Sequence, residues 1–266
     1  MANPLYIDSI DAAVDHVLDS ISGDIVLGIP LGVGKPNPFV NALYRRIKMN
    51  PARKLRIITA LSLEKPVGHS DLERHFLQPL VERVFADYPD LEYVKDSRSG
   101  ALPANIEVRE FFMKTGDYLG NSAAQLGYIS TNYTFVARDM AVQGMNVIAQ
   151  AVAAREGADG LRLSLSSNPD VTFEVVDKMR AGGQPLMAIG VINREMPFMP
   201  NGAEIGPEYS TWWSPIRPPR MRCLRRPTPR SPRPITQLAC MPPAWCWTAA
   251  RCRLASARWA MPSGRP

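Results

Sequence analysis

No cysteine precedes Cys223 in this chain of 266 residues, so most of it can form neither a disulfide framework nor a thiolate metal site. Histidine is nearly as scarce, with only His16, His69 and His75. The last two flank a Ser-Asp helix start and do not share a helical face, which favours a surface role over metal binding. No apolar run approaches the roughly 18 residues of a membrane span, and no basic segment followed by an apolar one opens the chain. We therefore expect a cytoplasmic protein with no membrane partner and no metal.

A different set of absences marks the end of the chain. Beyond Ser210 there is no Lys, Asp or Glu, yet that stretch holds 11 Arg, 11 of the 25 Pro, all five Trp and all four Cys. Up to Ser210 the charge is negative, 20 basic against 25 acidic residues, so the net +6 comes entirely from the end. Two regions are expected: an α/β domain over residues 1–209, and an Arg/Pro-rich tail over 210–266 with no fixed fold. Like charges repel there, and proline removes helix and ladder hydrogen bonds.

The first region is organised around GIPLGVGKPNPFVNAL at residues 28–43. An apolar strand at 24–27 hands over to a helix from Asn37 through a loop in which Gly28, Gly32 and Gly34 allow close backbone approach. Such a strand, turn and helix start can offer free N–H groups to an anion or a developing oxyanion. The loop has neither the G-x-G-x-x-G spacing nor a Lys-Ser/Thr pair, so it is not a nucleotide fingerprint, and a plain βα turn would look the same.

Further along, helical spacing runs over residues 9–22, and KLRIITALSL at 54–63 reads as a second strand. Ser70 and Glu73 form a capping box for a helix whose Leu72, Phe76, Leu80, Val84 and Phe85 are expected to face the core. Residues 88–105 read as connection with a short strand at most. Strands are expected in IEVREFFM, MNVIAQAVA, the start of LRLSLSSNPD, and PLMAIGVIN. Short helices are expected at 135–142 and after Pro169. Strands separated by helices predict an α/β fold, a mainly parallel sheet with helices on both faces.

Four motifs occur in order: GIPLGVGKPNPFVNAL, TGDYLGNSAAQLGYISTNYTFVARD, GMNVIAQ and LSLSSNPDVT. Together they resemble the acetyl-CoA hydrolase/transferase family of CoA-transferase enzymes, over most of residues 5–209. The resemblance implies two similar α/β domains, of which this region is the N-terminal one, with acyl-CoA and a small carboxylate as partners at their junction. Coenzyme A would be a substrate rather than a permanently bound cofactor, and a homo-oligomer is compatible. The implied chemistry is attack of a glutamate carboxylate on the thioester, passing through a glutamyl-CoA thioester to a carboxylate acceptor or to water.

On the matching positions, Gly32, Val33, Gly34 and Lys35 would line the acyl-CoA or oxyanion region. Asn132, Tyr133, Asn168 and Asp170 would sit near the substrate carboxylate or hold neighbouring loops. For Asn168 and Asp170, capping of the helix after Pro169 is the plainer alternative. The family's catalytic glutamate lies in its second domain beyond a Gly-Ile-Gly segment. Glu64, Glu107, Glu110, Glu156 and Glu195 do not match it, so no catalytic residue is assigned.

The tail yields to a second reading frame. AWCWT at 244–248, written with G/C-rich codons and read two bases later, gives Leu-Val-Leu-Asp, and TWWSP at 211–215 gives Val-Val-Glu-Pro. Extended, the shifted frame recovers an Asp-Gly-Gly turn and a Gly-Ile-Gly loop, so a frameshifted continuation is expected after about residue 209. Two other functions fit the composition: nucleic-acid binding by the Arg-rich tail, whose recoverable second frame argues against a selected role, and a non-catalytic CoA-binding domain.

Overall fold

The computed structural model describes residues 7–85, 88–157, 160–205 and the backbone of 213–216. Six strands run parallel: β1 (Ile25–Gly28), β2 (Leu55–Thr59), β3 (Ile106–Glu110), β4 (Val147–Gly157), β6 (Met187–Ile192) and β8 (Trp213–Ile216). Their order across the sheet is β3-β2-β1-β4-β6-β8. The chain thus builds outward from β1 to β3, then returns past β1 and builds the other way. Strand β4 outruns the sheet, and its far end pairs antiparallel with β5 (Gly160–Ser164), which in turn pairs with β7 (Glu204–Ile205).

Alternation along the strands divides the core in two. Ile25, Leu27, Ile57, Val147, Ala149, Ile189 and Val191 pack on one face with the helices α1 (Ile10–Ser20), α2 (Asn37–Lys48) and α4 (Glu92–Ser99). Val26, Ile58, Ile148, Val152 and Ala188 pack on the other with α6 (Val136–Val142), which follows the short α5 (Ser122–Leu126), and with α7 (Thr172–Ala181). Strands covered on both sides need the near-continuous apolar runs that the sequence supplies. Ser9 caps α1 through Ala12 N at 3.1 Å, while α2 starts at a proline-rich step and ends with Arg45, Arg46 and Lys48 against its negative pole.

Several expectations need correction. Helix α3 (Asp71–Val84) has its capping box, but no side chain on it is buried, and Leu72 and Phe76 are 81% and 78% exposed. Only Phe85, just past its end, is buried among the residues expected to face the core. Periodicity made the helix legible but not whether a partner surface lies opposite.

Residues 88–105 contain α4, which burial of Tyr93 and Val94 and a left-handed Gly100 make a proper helix. Polar side chains of α2 hold its approach. Asn37 donates to Pro89 O at 2.7 Å, and Asn41 both donates to Asp90 O at 2.7 Å and accepts Glu92 N at 3.0 Å. Such long-range polar docking leaves no periodic trace.

The LRLSL strand runs antiparallel, as the return leg of a hairpin from β4. Strand β2 ends at Thr59, short of residue 63. Strand β8 lies beyond residue 209 and satisfies an edge of β6 that would otherwise stay open. The expectation of an unfolded tail otherwise falls outside the described residues. Among those described, no helix is long and apolar enough to cross a membrane.

Candidate functional site

In a doubly wound sheet, ligands bind beyond the carboxyl ends of the strands where the strand order reverses. Here that point lies between β1 and β4, and the loop leaving β1 is the glycine loop. A Cβ on Gly28 would stand 2.2 Å from Met145 Sδ, so that side chain would have to move to admit one. Ile29 N still bonds Ile58 O at 3.0 Å, after which the chain makes a 3-10 turn at Gly32–Gly34 and enters α2. Gly32 has a left-handed φ of +69°, and a Cβ on Gly34 would press to 3.2 Å on Asn168 O. The first N–H groups of such a turn have no partner within it and must find one elsewhere.

The SSNPD segment grips this loop from the side. Asn168 Nδ2 donates to Leu31 O at 2.9 Å, and Leu31 N donates to Asp170 Oδ2 at 2.6 Å, so both backbone groups of Leu31 are held. Tyr133 O–H donates to the other Asp170 oxygen. Burial first, and that carboxylate second, push the Tyr133 hydroxyl above its ordinary value. Neither Asn168 nor Asp170 caps the following helix: Val171 stands at the N-cap position and no side chain bonds there. The capping reading is replaced by loop-to-loop bracing.

Bracing comes at the cost of backbone strain, because Ser166 and Asp170 hold φ of 61° and 51° without being glycine. The conformation is fixed from around it. Ser166 Oγ donates to Pro197 O at 2.7 Å, Ser164 Oγ accepts Ser166 N at 3.0 Å, and Gln150 Nε2 donates to Asn168 O at 2.8 Å. Thr172 Oγ1 secures Gln150 in turn, donating to Oε1 at 2.5 Å.

Lys35 grips the loop from below. Its buried Nζ donates to Pro30 O at 2.5 Å, Thr59 Oγ1 at 2.6 Å and Ala60 O at 2.8 Å, using all three N–H bonds. Burial pulls its pKa down to about 8, against the charges of Glu110 and Asp170. The structure therefore places Lys35 as a fastener between the loop and the end of β2. Gly32 and Gly34 are buried and Val33 is half-buried on the same turn. Asn132 is exposed and turns inward on its own segment, accepting Thr134 N at 3.2 Å, while its neighbour Tyr133 reaches the clamp.

Sequence reasoning missed a second buried group beside this one. Glu110, at the end of β3, is only 3% exposed and accepts a hydrogen bond from Ser62 Oγ. The buried Tyr93 hydroxyl lies 2.7 Å from Ser62 Oγ. Burial pushes the Glu110 carboxyl above the usual carboxylate range, opposed by the Ser62 bond and the Lys35 charge. The available signal was a carboxylate in phase with Ile106 and Val108 on the alternation of IEVRE.

No protein-family model matches the sequence, and no curated protein does. Among solved structures, the chain is similar to RipA from Yersinia pestis, with TM-score 0.53 and 17% identity over 83% of this chain and 44% of RipA. Further RipA structures, point variants among them, match at TM-scores of 0.51 to 0.53. A looser likeness, TM-score 0.41 and 12% identity, is to 4-hydroxybutyrate CoA-transferase from Porphyromonas gingivalis, and at that score it carries no argument. The chain spans less than half the length of the RipA structures it matches, and what it shares with them is the fold.

Proposed function

We propose that this chain is the N-terminal α/β unit of an acetyl-CoA hydrolase or acyl-CoA:carboxylate CoA-transferase, and that its clamped glycine loop receives the thioester end of acyl-CoA. One observation carries the reading. Two of the motifs on which the family resemblance rests, 137 and 139 residues apart at their points of contact, meet side chain to backbone at the switch point of the sheet. Backbone N–H groups of Gly32 and Val33 would face the thioester oxygen as it gains charge, an effect of about 3 kcal/mol per donor. Asn168, Asp170 and Lys35 would hold those donors in place, with Tyr133 and Asn132 at the rim.

The attacking carboxylate would come from a second domain, so the chain alone should bind coenzyme A without turning over its thioesters. The stretch after residue 209 is on this reading a frameshifted continuation. The stretch 211–215 would then natively carry Val-Val-Glu-Pro, and sequencing the encoding DNA there tests it. For the site itself, calorimetric titration with coenzyme A is expected to show binding that Gly34→Val abolishes at a temperature where circular dichroism shows the variant still folded, its melting temperature being lowered by the Cβ contact with Asn168 O. Absence of binding, or equal binding by Gly34→Val, would remove the proposal. Acetyl-CoA should stay intact, and a glutamyl-CoA adduct on any Glu before residue 210 would refute the assignment of the nucleophile to another domain.

A further inference from the structure

Ser62 stands just beyond β2, two residues after the Ala60 carbonyl that Lys35 binds, at the same end of the sheet as the glycine loop. The residue before it, Leu61, is forced to φ of +46°, with its N–H held by Phe112 O at 2.8 Å. A bulky residue persists there only when its surroundings dictate the turn. The turn delivers a half-buried Ser62 hydroxyl to two buried titratable groups, Glu110 and Tyr93.

Hydrogen-bond accounting fixes what that hydroxyl can offer. A serine has one O–H and two lone pairs, and an ionised carboxylate only accepts. With Glu110 ionised, Ser62 must spend its O–H on Glu110 while accepting from Tyr93, so its remaining lone pair can only accept and would repel an anion. With Glu110 protonated, the carboxyl O–H can donate to Ser62, and the serine O–H is released to donate outward.

We propose that Ser62 contacts a small carboxylate in this site, and that binding it draws one proton from solvent onto Glu110. The inference rests on the functional reading above and names the carboxylate contact which that reading lacks. Glu110 is the positioning residue and Ser62 the contact. The other titratable and charged groups facing Glu110 are Lys35 from the loop, Tyr93 and Arg98 from α4, and Tyr118. Lys35 and Arg98 favour the ionised carboxylate, while burial of Glu110 favours the neutral acid.

The test uses acetate as the probe, titrated into the full chain at pH 6 and pH 8 and followed through backbone amide NMR shifts. Acetate is expected to shift the Ser62 amide and to bind more weakly as pH rises, by up to about tenfold per pH unit once Glu110 is ionised. Ser62→Ala should weaken binding at least fivefold at pH 6, whereas Ser62→Thr, which keeps the hydroxyl, should restore it. Glu110→Gln carries a side-chain N–H that can donate to Ser62 at any pH, so its acetate binding should not weaken as pH rises. Acetate binding that ignores pH, that survives Ser62→Ala, or that is absent altogether would overturn the proposal. A parallel titration with coenzyme A separates the two ideas. Shifts at Gly32–Gly34 with no Ser62-dependent acetate binding would sink this inference alone, and their absence would sink the functional reading.

Discussion

Helices α2 and α3 carry nearly the same local instructions and meet opposite fates. Each has an ordered N-terminal start, an apolar stripe at helical spacing and basic residues near its last turn. Yet α2 buries Phe39, Val40, Leu43, Tyr44 and Ile47, while every side chain of α3 stays in contact with water. Local sequence determines that a helix forms. A partner surface determines whether its stripe becomes core, and α2 has one in the sheet face built from Ile25, Leu27 and Ile57.

The largest contrast is between phenylalanines. Phe39→Ala should cost about 3–5 kcal/mol, because it empties a filled site. Phe76→Ala on α3 should change stability by no more than about 0.5 kcal/mol, as an exposed substitution does. Urea denaturation of the two variants measures both, and equal costs would mean that α3 is packed in solution.

Lys35→Met comes next, since it orphans two buried carbonyls, Pro30 O and Ala60 O, through which Lys35 fastens the glycine loop to the end of β2. The expected loss is about 2 kcal/mol at neutral pH, for unsatisfied groups each worth about 1–3 kcal/mol. The pH dependence has a definite sign. The folded pKa of about 8 lies below the ordinary 10.5, so between those values the unfolded chain holds a proton that the folded chain has released. Stability from this group therefore rises with pH across that window and is lowest below it. The wild type should gain on Lys35→Met between pH 8 and 10.5 in parallel melts, and a constant gap would argue that Lys35 is not buried.

Smaller effects test the clamp. Gly32→Ala places a Cβ at φ +69° and should cost about 1 kcal/mol. Asp170→Gly relieves a left-handed residue but removes the anchor of Leu31 N and Tyr133. It should leave the melting temperature nearly unchanged while speeding amide exchange at Leu31. The smallest effect is expected of Ser70→Ala. It breaks the capping box of a helix that contributes no core, so exchange should quicken within α3 alone and the global transition should not move.

What the sequence made legible follows from where each signal resides. Strand cores such as IVLG and MAIGVI, the Ser70 cap and the glycine turn are local, and each formed where it was expected. Asn168 and Asp170 were noticed as polar residues beside a proline, but their true partner, Leu31, lies in another segment altogether. Glu110 and Ser62 were passed over for the same reason, since a buried carboxylate bonded by a serine 48 residues away has no local period. Helix α4 was missed because α2 supplies the polar groups that hold its approach, and the antiparallel β5 because a hairpin return and a parallel strand share one alternation.

The distance along the chain between Leu31 and Asp170 also sets a schedule. At a synthesis rate of about 5–20 residues per second, the glycine loop leaves the ribosome on the order of ten seconds before the segment that clamps it. Strands β1 and β2, α2 and the Lys35 fastening need only residues near the start, whereas the Leu31–Asp170 bond closes a separation of 139 residues. Closing so long a loop late costs little more entropy than closing one half its size, but it cannot happen early. The candidate site is thus among the last parts of this fold to take shape, and a nascent chain halted before residue 170 would carry the loop without its geometry.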